Sequence, residues 1–226
     1  MRNDGTTMTT PPAARRGAPL LTLGCVALVC ALGTAALHQA TMGFRVVSTE
    51  DGRRLGIARQ PRALPQAMLH MPGPVDFHAA LAGDGRIAIV AFVYTRCNAV
   101  CSVLGSEFQQ LQQAIVARGV QGRVRLISIS FDAHDTAGML AAYAAKMGAR
   151  SDIWRFAGIA DTAQRARLLA AFGIVVLPAP YGEFQHNAAF HLVAPDGRLL
   201  RIVDLAQPAL ALERALALAP PPRSRP

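Results

Sequence analysis

The stretch that most restricts this chain runs from Arg86 to Ile115. It begins with RIAIVAFVY (86–94), a continuous run of β-branched, aliphatic and aromatic residues. A run without polar alternation reads as a strand buried on both faces, because a half-exposed strand would place polar residues at every second position. Val100, Leu104, Phe108, Leu111 and Ile115 then recur at spacings of four, four, three and four. That period is one apolar stripe of an amphipathic helix. A buried strand feeding such a helix predicts a layered α/β domain, with Cys97 and Cys101 at the junction.

The rest of the chain continues the alternation. RVRLISISF (123–131) reads as a second strand and 136–147 as a second helix, with Asp135 the expected N-cap. A short strand follows at 153–157. Asp161 opens a third helix, with Gln164 three positions on as in a capping box, and Gly173 closes it. GIVVL (173–177) reads as another strand. A Pro/Gly loop leads to a strand near 188–194, the turn Pro195-Asp196-Gly197, a return strand at 198–203 and a last helix at 208–219 opened by Pro208. Residues 41–85 carry Pro61, Pro65, Pro72, Pro74 and several glycines, and are expected to be a linker and lead-in segment to a domain at 86–219. Tails at 1–17 and 220–226 are expected to be disordered. A cysteine pair just after the first central strand, entering a helix, suggests a thioredoxin-like architecture.

Residues 18–37, APLLTLGCVALVCALGTAAL, carry no charge. Twenty helical residues span about 30 Å, the hydrocarbon thickness of a bilayer. The segment is read as a single transmembrane anchor. A cleavable signal peptide is the rival, but its apolar region would be shorter and the small-residue site at 34–36 is poor. Arg15 and Arg16 abut the span on its N-terminal side, which argues for a cytoplasmic tail at 1–17 and a domain outside the cytoplasm. The expected location is therefore the inner membrane, single-pass, with the C-terminal domain in the periplasm. Cys25 and Cys30 lie inside the span as small apolar residues.

The formal net charge is +9, carried almost wholly by arginine, since Lys146 is the only lysine. The arginines are scattered and not interleaved with aromatics, so no nucleic-acid partner is expected. Outside the span, Cys97 and Cys101 are the only thiols, and a periplasmic location exposes them to oxidation.

Positions i and i+4 on a helix share a face, with Cβ atoms about 5–6 Å apart. Two thiolates so placed converge on one ion, and a helix N-terminus lowers thiol pKa. A disulfide needs Cβ atoms about 3.5–4.5 Å apart. The spacing therefore tilts toward a metal site without excluding redox chemistry, and a structural pair is the third reading. Among the histidines, His191 lies inside an apolar strand and is expected in the core. His78 and His134 are expected to be exposed. His186 precedes the strand, after a loop able to reach a sheet end. MLHMPG (68–73) gathers Met68, His70 and Met71, soft or borderline donors that suit a transient docking point for a soft metal ion, or belong to an ordinary mobile loop.

TRCNAVC (95–101) resembles the T-x-C-P-x-x-C motif of the Sco (SenC) copper proteins, which assist cytochrome c oxidase assembly. HNAAFHLVAPDGRLLRI (186–202) resembles that family's histidine segment, with Pro195 nine residues after His186. ISISFDAHDT (127–136) resembles its segment with an Asp-Pro and a following Asp-Thr. The resemblance covers about residues 86–205. It implies a thioredoxin-like α/β domain on a membrane or lipid anchor, and one copper ion held by Cys97, Cys101 and His186. Cu(I) is the preferred ion, since two thiolates and an imidazole suit it, and Cu(II) is an alternative. The implied task is that of a copper chaperone for the copper A subunit of a haem-copper oxidase, served by a periplasmic copper donor and a thiol reductant. Thiol-disulfide exchange by Cys97 and Cys101 is the alternative, and copper sensing or buffering a third reading. The chain departs from the pattern at Asn98 and Ala133, both prolines in the family, at His191, where the family has an aromatic, and by one residue fewer before Asp135.

Overall fold

The computed structural model describes residues 18–41, 43, 48–71, 73–83, 85–96 and 100–220. The expected tails at 1–17 and 220–226, apart from Pro220, lie outside the described residues, together with Cys97 and Asn98, as do the side chains of 18, 19, 100–104 and 181. The chain divides into two units, Met1–Gly52 and Arg53–Pro226.

In the first unit α1 (Ala18–Ala40) is one continuous helix. Its segment Leu20–Ala40 is long and apolar enough to cross a membrane. Its leucines and valines are exposed, as are Cys25 and Cys30. Helix α2 (Thr49–Arg59) begins here and runs on into the second unit. Ser48 starts it, its Oγ accepting from the Asp51 amide at 3.1 Å.

The second unit continues with β1 (Arg62–Ala63), β2 (Met68–His70), β3 (Pro74–Asp76) and α3 (Phe77–Ala82). Then come β4 (Ile87–Val93), α4 (Val100–Ala117), β5 (Val124–Ser130), α5 (Ala137–Lys146), β6 (Trp154–Gly158) and α6 (Thr162–Phe172). The chain ends with β7 (Val176–Pro178), β8 (Phe184–His186), β9 (Ala189–Val193), β10 (Arg198–Asp204) and α7 (Pro208–Leu218). Eight strands form one sheet in the order β1-β10-β9-β4-β5-β6-β2-β3. Strands β4, β5 and β6 are parallel; β9 pairs antiparallel with β4, β10 antiparallel with β9, and β2 antiparallel with β6.

Strand β4 is central and every residue of it is buried, as its unbroken apolar sequence requires. Its alternate residues serve two cores. Ala88, Val90 and Phe92 face Leu69, Phe77, Leu168 and Phe172. Ile87, Ile89, Ala91 and Val93 face Phe108, Leu111 and Ile115 of α4, with Leu140 of α5 and Leu212 of α7. His191 is fully buried on the first side, edge-on to Phe92 and Phe172 with ring centroids 6.1 and 5.2 Å away, as its apolar strand predicts.

Four local expectations are corrected. First, Thr136, not Asp135, caps α5, its side chain accepting from the Met139 amide. The Asp135 carboxylate is engaged elsewhere, by Thr95 and Ser130. Second, Asp161 caps α6 and Gly173 closes it with φ 69°. Gln164, however, does not complete a capping box, because its Oε1 accepts from the Met68 amide at 2.7 Å. Third, the segment 173–177 contributes only Val176 and Leu177 to a strand, and that strand pairs with β8 in a separate two-stranded sheet.

Fourth, residues 53–82 are more than a linker. They add three strands and two helical segments, and bury Ile57, Leu64, Ala67, Leu69, Phe77 and Leu81 in the first core. Within MLHMPG, Met68–His70 is a strand. Met68–His70 pairs with β3, leaving Met68 and His70 exposed on one face, whereas Met71 packs against the core.

Candidate functional site

The C-terminal ends of β4 and β5 and the β7–β8 hairpin meet at one place. Strand β4 stops at Val93, and Tyr94, Thr95 and Arg96 follow before the undescribed residues 97–99. Helix α4 opens at Val100, so Cys101 sits in its first turn. Cys97 lies outside the described residues.

The approach to Cys97 is held by two carboxylates from the segment after β5. Asp135 accepts from the Thr95 amide at 2.9 Å, from the Thr95 hydroxyl at 2.5 Å and from the Ser130 hydroxyl at 2.6 Å. Asp132 receives Arg96 Nη2 at 2.7 Å and Nε at 3.3 Å on its Oδ2. Its Oδ1 receives the His134 amide at 2.9 Å and ring Nδ1 at 2.8 Å. Burial alone would raise the Asp132 carboxyl, whose side chain is 1% exposed. The His134 amide, Arg96 and the His134 ring outweigh it, and hold the carboxyl below the usual carboxylate range. His134 is exposed, as expected. His78 is not: it is half-buried, with Nε2 3.0 Å from the Leu64 carbonyl.

His186 ends β8, opposite Val176. Asn187 ties the base of this hairpin to the end of α6. Its Nδ2 donates to the Gly173 carbonyl at 2.9 Å, and its Oδ1 accepts from the Val175 amide at 2.8 Å. The His186 ring rests edge-on against Phe131, centroid to centroid 4.9 Å, and against Tyr94 at 6.4 Å. Phe184, two residues earlier on the same side of β8, meets the same two rings at 5.6 and 5.2 Å.

Two features suit His186 to a ligand's role. Burial lowers its pKa below that of an ordinary imidazole, only partly offset by the Asn187 carbonyl, so the ring is neutral near pH 7. Nδ1 lies 3.2 Å from that carbonyl and donates its hydrogen there, which leaves the lone pair on Nε2. Nε2 is buried and has no hydrogen-bond partner among the described residues. Also among the described residues, no three His, Cys, Asp or Glu side chains group to hold a metal. A site here needs the cysteines.

The sequence reading singled out Cys97, Cys101 and His186. The structure places His186 against Tyr94, three residues before Cys97, and Cys101 at the start of the next helix. Asp132, Asp135, Tyr94 and Phe131 carry no such mark in the sequence, because the site residues they meet, Arg96, Thr95 and His186, are distant along the chain. The Asp-Thr of ISISFDAHDT was the available signal for Asp135, and it was read as a helix cap.

A sequence model of the SCO1/SenC family matches residues 80–218, well over half of the chain. The chain belongs to the SCO1/SenC family. A SCO1 protein homolog of Bacillus subtilis is 31% identical over 121 residues, a match covering 52% of this chain and 61% of that relative. A SCO1/SenC family lipoprotein of Bacillus anthracis superposes with a TM-score of 0.60 at 18% identity, covering 70% of this chain and 98% of that one. The copper-bound ScoI of Bradyrhizobium japonicum does so with a TM-score of 0.54 at 22% identity, covering 68% and 98%. The fold is thus the thioredoxin-like α/β fold of the Sco proteins, which the cysteine-bearing strand-to-helix junction predicted.

Proposed function

We propose that this Sco-family chain is a membrane-anchored copper chaperone for cytochrome c oxidase assembly, with Cys97, Cys101 and His186 as the copper ligands. The observation that supports it best is His186 itself: a neutral imidazole whose Nδ1–H is held by a carbonyl and whose buried Nε2 is left for another partner. The hairpin carries that nitrogen to the end of β4 that leads into Cys97.

Copper is the cargo. Two thiolates and one imidazole match the preference of Cu(I) for soft and borderline donors. Three ligands leave the shell open to an incoming thiolate of a recipient, so copper can pass without first being released to water. The recipient we propose is the copper A subunit of a haem-copper oxidase. A periplasmic copper donor and a thiol reductant that keeps the cysteines reduced complete the scheme. The apolar helix α1 supports an inner-membrane anchor, with the domain in the periplasm. The chain should resist extraction by alkaline washing, and release of a chain beginning near Leu37 would indicate a cleaved signal instead.

The cellular test compares His186→Ala, Cys97→Ser and Cys101→Ser at limiting copper. Copper delivery requires that copper A assembly fail in all three. Normal assembly in the His186→Ala strain would overturn delivery and favour thiol-disulfide exchange, which needs only the two sulfurs.

A further inference from the structure

Tyr94 directly follows β4, three positions before Cys97, and is 1% exposed. Its hydroxyl nevertheless reaches across to the segment that enters β8. It lies 2.5 Å from Glu183 Oε2 and accepts from the Phe184 amide at 3.2 Å. The Phe184 carbonyl is 3.3 Å away, but a phenol has one proton, and the short contact with the carboxylate takes it. Glu183 and Phe184 belong to the hairpin, whereas Tyr94 belongs to the approach to the cysteines. The Glu183 charge also acts on Arg96, so both sides of the bond border the same approach.

We propose that Tyr94 and Glu183 form a part-buried clasp that joins the cysteine approach to the histidine hairpin, making Tyr94 the residue that positions His186 for copper capture. The proposal rests on the copper reading given above. Its logic is geometric. His186 is two residues beyond Phe184, so fixing the Phe184 amide fixes the end of a three-residue strand. The hairpin belongs to a separate two-stranded sheet and shares no strand pairing with the main one. Its seating at this end rests on ring contacts with Tyr94 and Phe131 and on the tyrosine hydroxyl. Ring contacts tolerate sliding, whereas a hydrogen bond to a carboxylate and an amide does not. The hydroxyl therefore fixes the Phe184 side of His186, as Asn187 fixes the other side through Gly173 and Val175.

The variants are Tyr94→Phe, which keeps the ring and removes the hydroxyl, Glu183→Ala, and Glu183→Gln, whose amide oxygen still accepts from the hydroxyl. They are made in the full chain in detergent, with near-ultraviolet circular dichroism as the check on folding. Supporting partners of metal ligands are commonly worth 10–100-fold in affinity, so Tyr94→Phe and Glu183→Ala should each weaken Cu(I) binding by about tenfold. Glu183→Gln should restore most of it. In Tyr94→Phe, which changes no charge, the reduction potential of the Cys97–Cys101 pair should move less than the Cu(I) affinity, because the lost bond frees the histidine side; Glu183→Ala also removes a charge that acts on Arg96 and is compared by affinity alone. Amide exchange at Phe184 should quicken in Tyr94→Phe without any copper present.

If the wild-type chain takes up Cu(I) through His186 but Tyr94→Phe keeps its affinity, the clasp is overturned. Equal losses in affinity and in reduction potential would also overturn it, since they mark general loosening. Should the wild-type chain bind no Cu(I), or bind it equally well without His186, the copper reading fails. The clasp is then decided by Phe184 exchange alone: unchanged exchange refutes it, and faster exchange upholds it as a device that seats the hairpin.

Discussion

Phe131 stands edge-on to His186, with ring centroids 4.9 Å apart and planes at 67°. Phe131 follows β5 and His186 ends β8, so this contact seats the hairpin on the end of the parallel sheet. An aromatic pair of this geometry adds about 0.5–1.5 kcal/mol beyond area burial. Phe131→Leu keeps the site apolar and removes the ring. It should weaken Cu(I) binding by roughly 2–10-fold, the same energy expressed as a ratio. A competition titration against a Cu(I) chelator measures this, and no change in affinity would mean that the ring does not orient the imidazole.

Asp132 should make the fold acid-sensitive. Its folded carboxyl lies below the ordinary value of 3.8. A carboxyl lowered on folding contributes stability above its unfolded pKa, and loses it as pH falls through the folded value. Asp132→Asn should therefore be less stable than wild type at pH 7, by about 1.5–3 kcal/mol for a hydrogen bond to a charged acceptor. The two chains should converge as pH drops below about 4. Denaturant melts followed across pH 2–7 test this; parallel curves throughout would contradict it.

Asp135 and Thr136 separate two roles that the sequence merges. Thr136→Ala removes the observed cap of α5 and should cost about 1 kcal/mol. Asp135→Ala leaves the Thr95 amide and the Ser130 hydroxyl without their acceptor, which should cost about 2–3 kcal/mol. It should also loosen the approach to Cys97. The ordering of the two losses in urea melts is the check, and a larger loss for Thr136→Ala would reverse the assignment.

The segment before residue 86 should prove essential to folding. Leu69 is fully buried, and Leu69→Ala should destabilise the domain by about 2–5 kcal/mol. A chain beginning at residue 86 would lose Leu69, Phe77 and Leu81 from the first core and should not fold cooperatively. A sharp two-state melt of that shortened chain would refute this.

What could be read in advance follows from the range of each signal. The strand 86–94 and the stripe through Phe108 and Ile115 are local periodicities, and β4 and α4 appear where those periodicities place them. Strands of two or three residues such as β1, β2 and β3 are too short to show a period, and prolines break them further, so 53–82 resembled a linker. At the site, the cysteine and histidine segments carry recognisable spacing. Tyr94 and Glu183 do not, because their bond joins residues 89 apart. Asp135 lies 40 residues from Thr95, and a carboxylate just before a helix looks like a cap whichever way it points.

The central claim is that His186 completes a copper site with Cys97 and Cys101. The most direct measurement is an anaerobic Cu(I) titration of the reduced full chain against a competing chelator, for wild type and His186→Ala. The expected result is one Cu(I) per wild-type chain and an affinity at least about tenfold weaker without the imidazole. Equal affinity in the two chains, or no uptake by wild type, would contradict it.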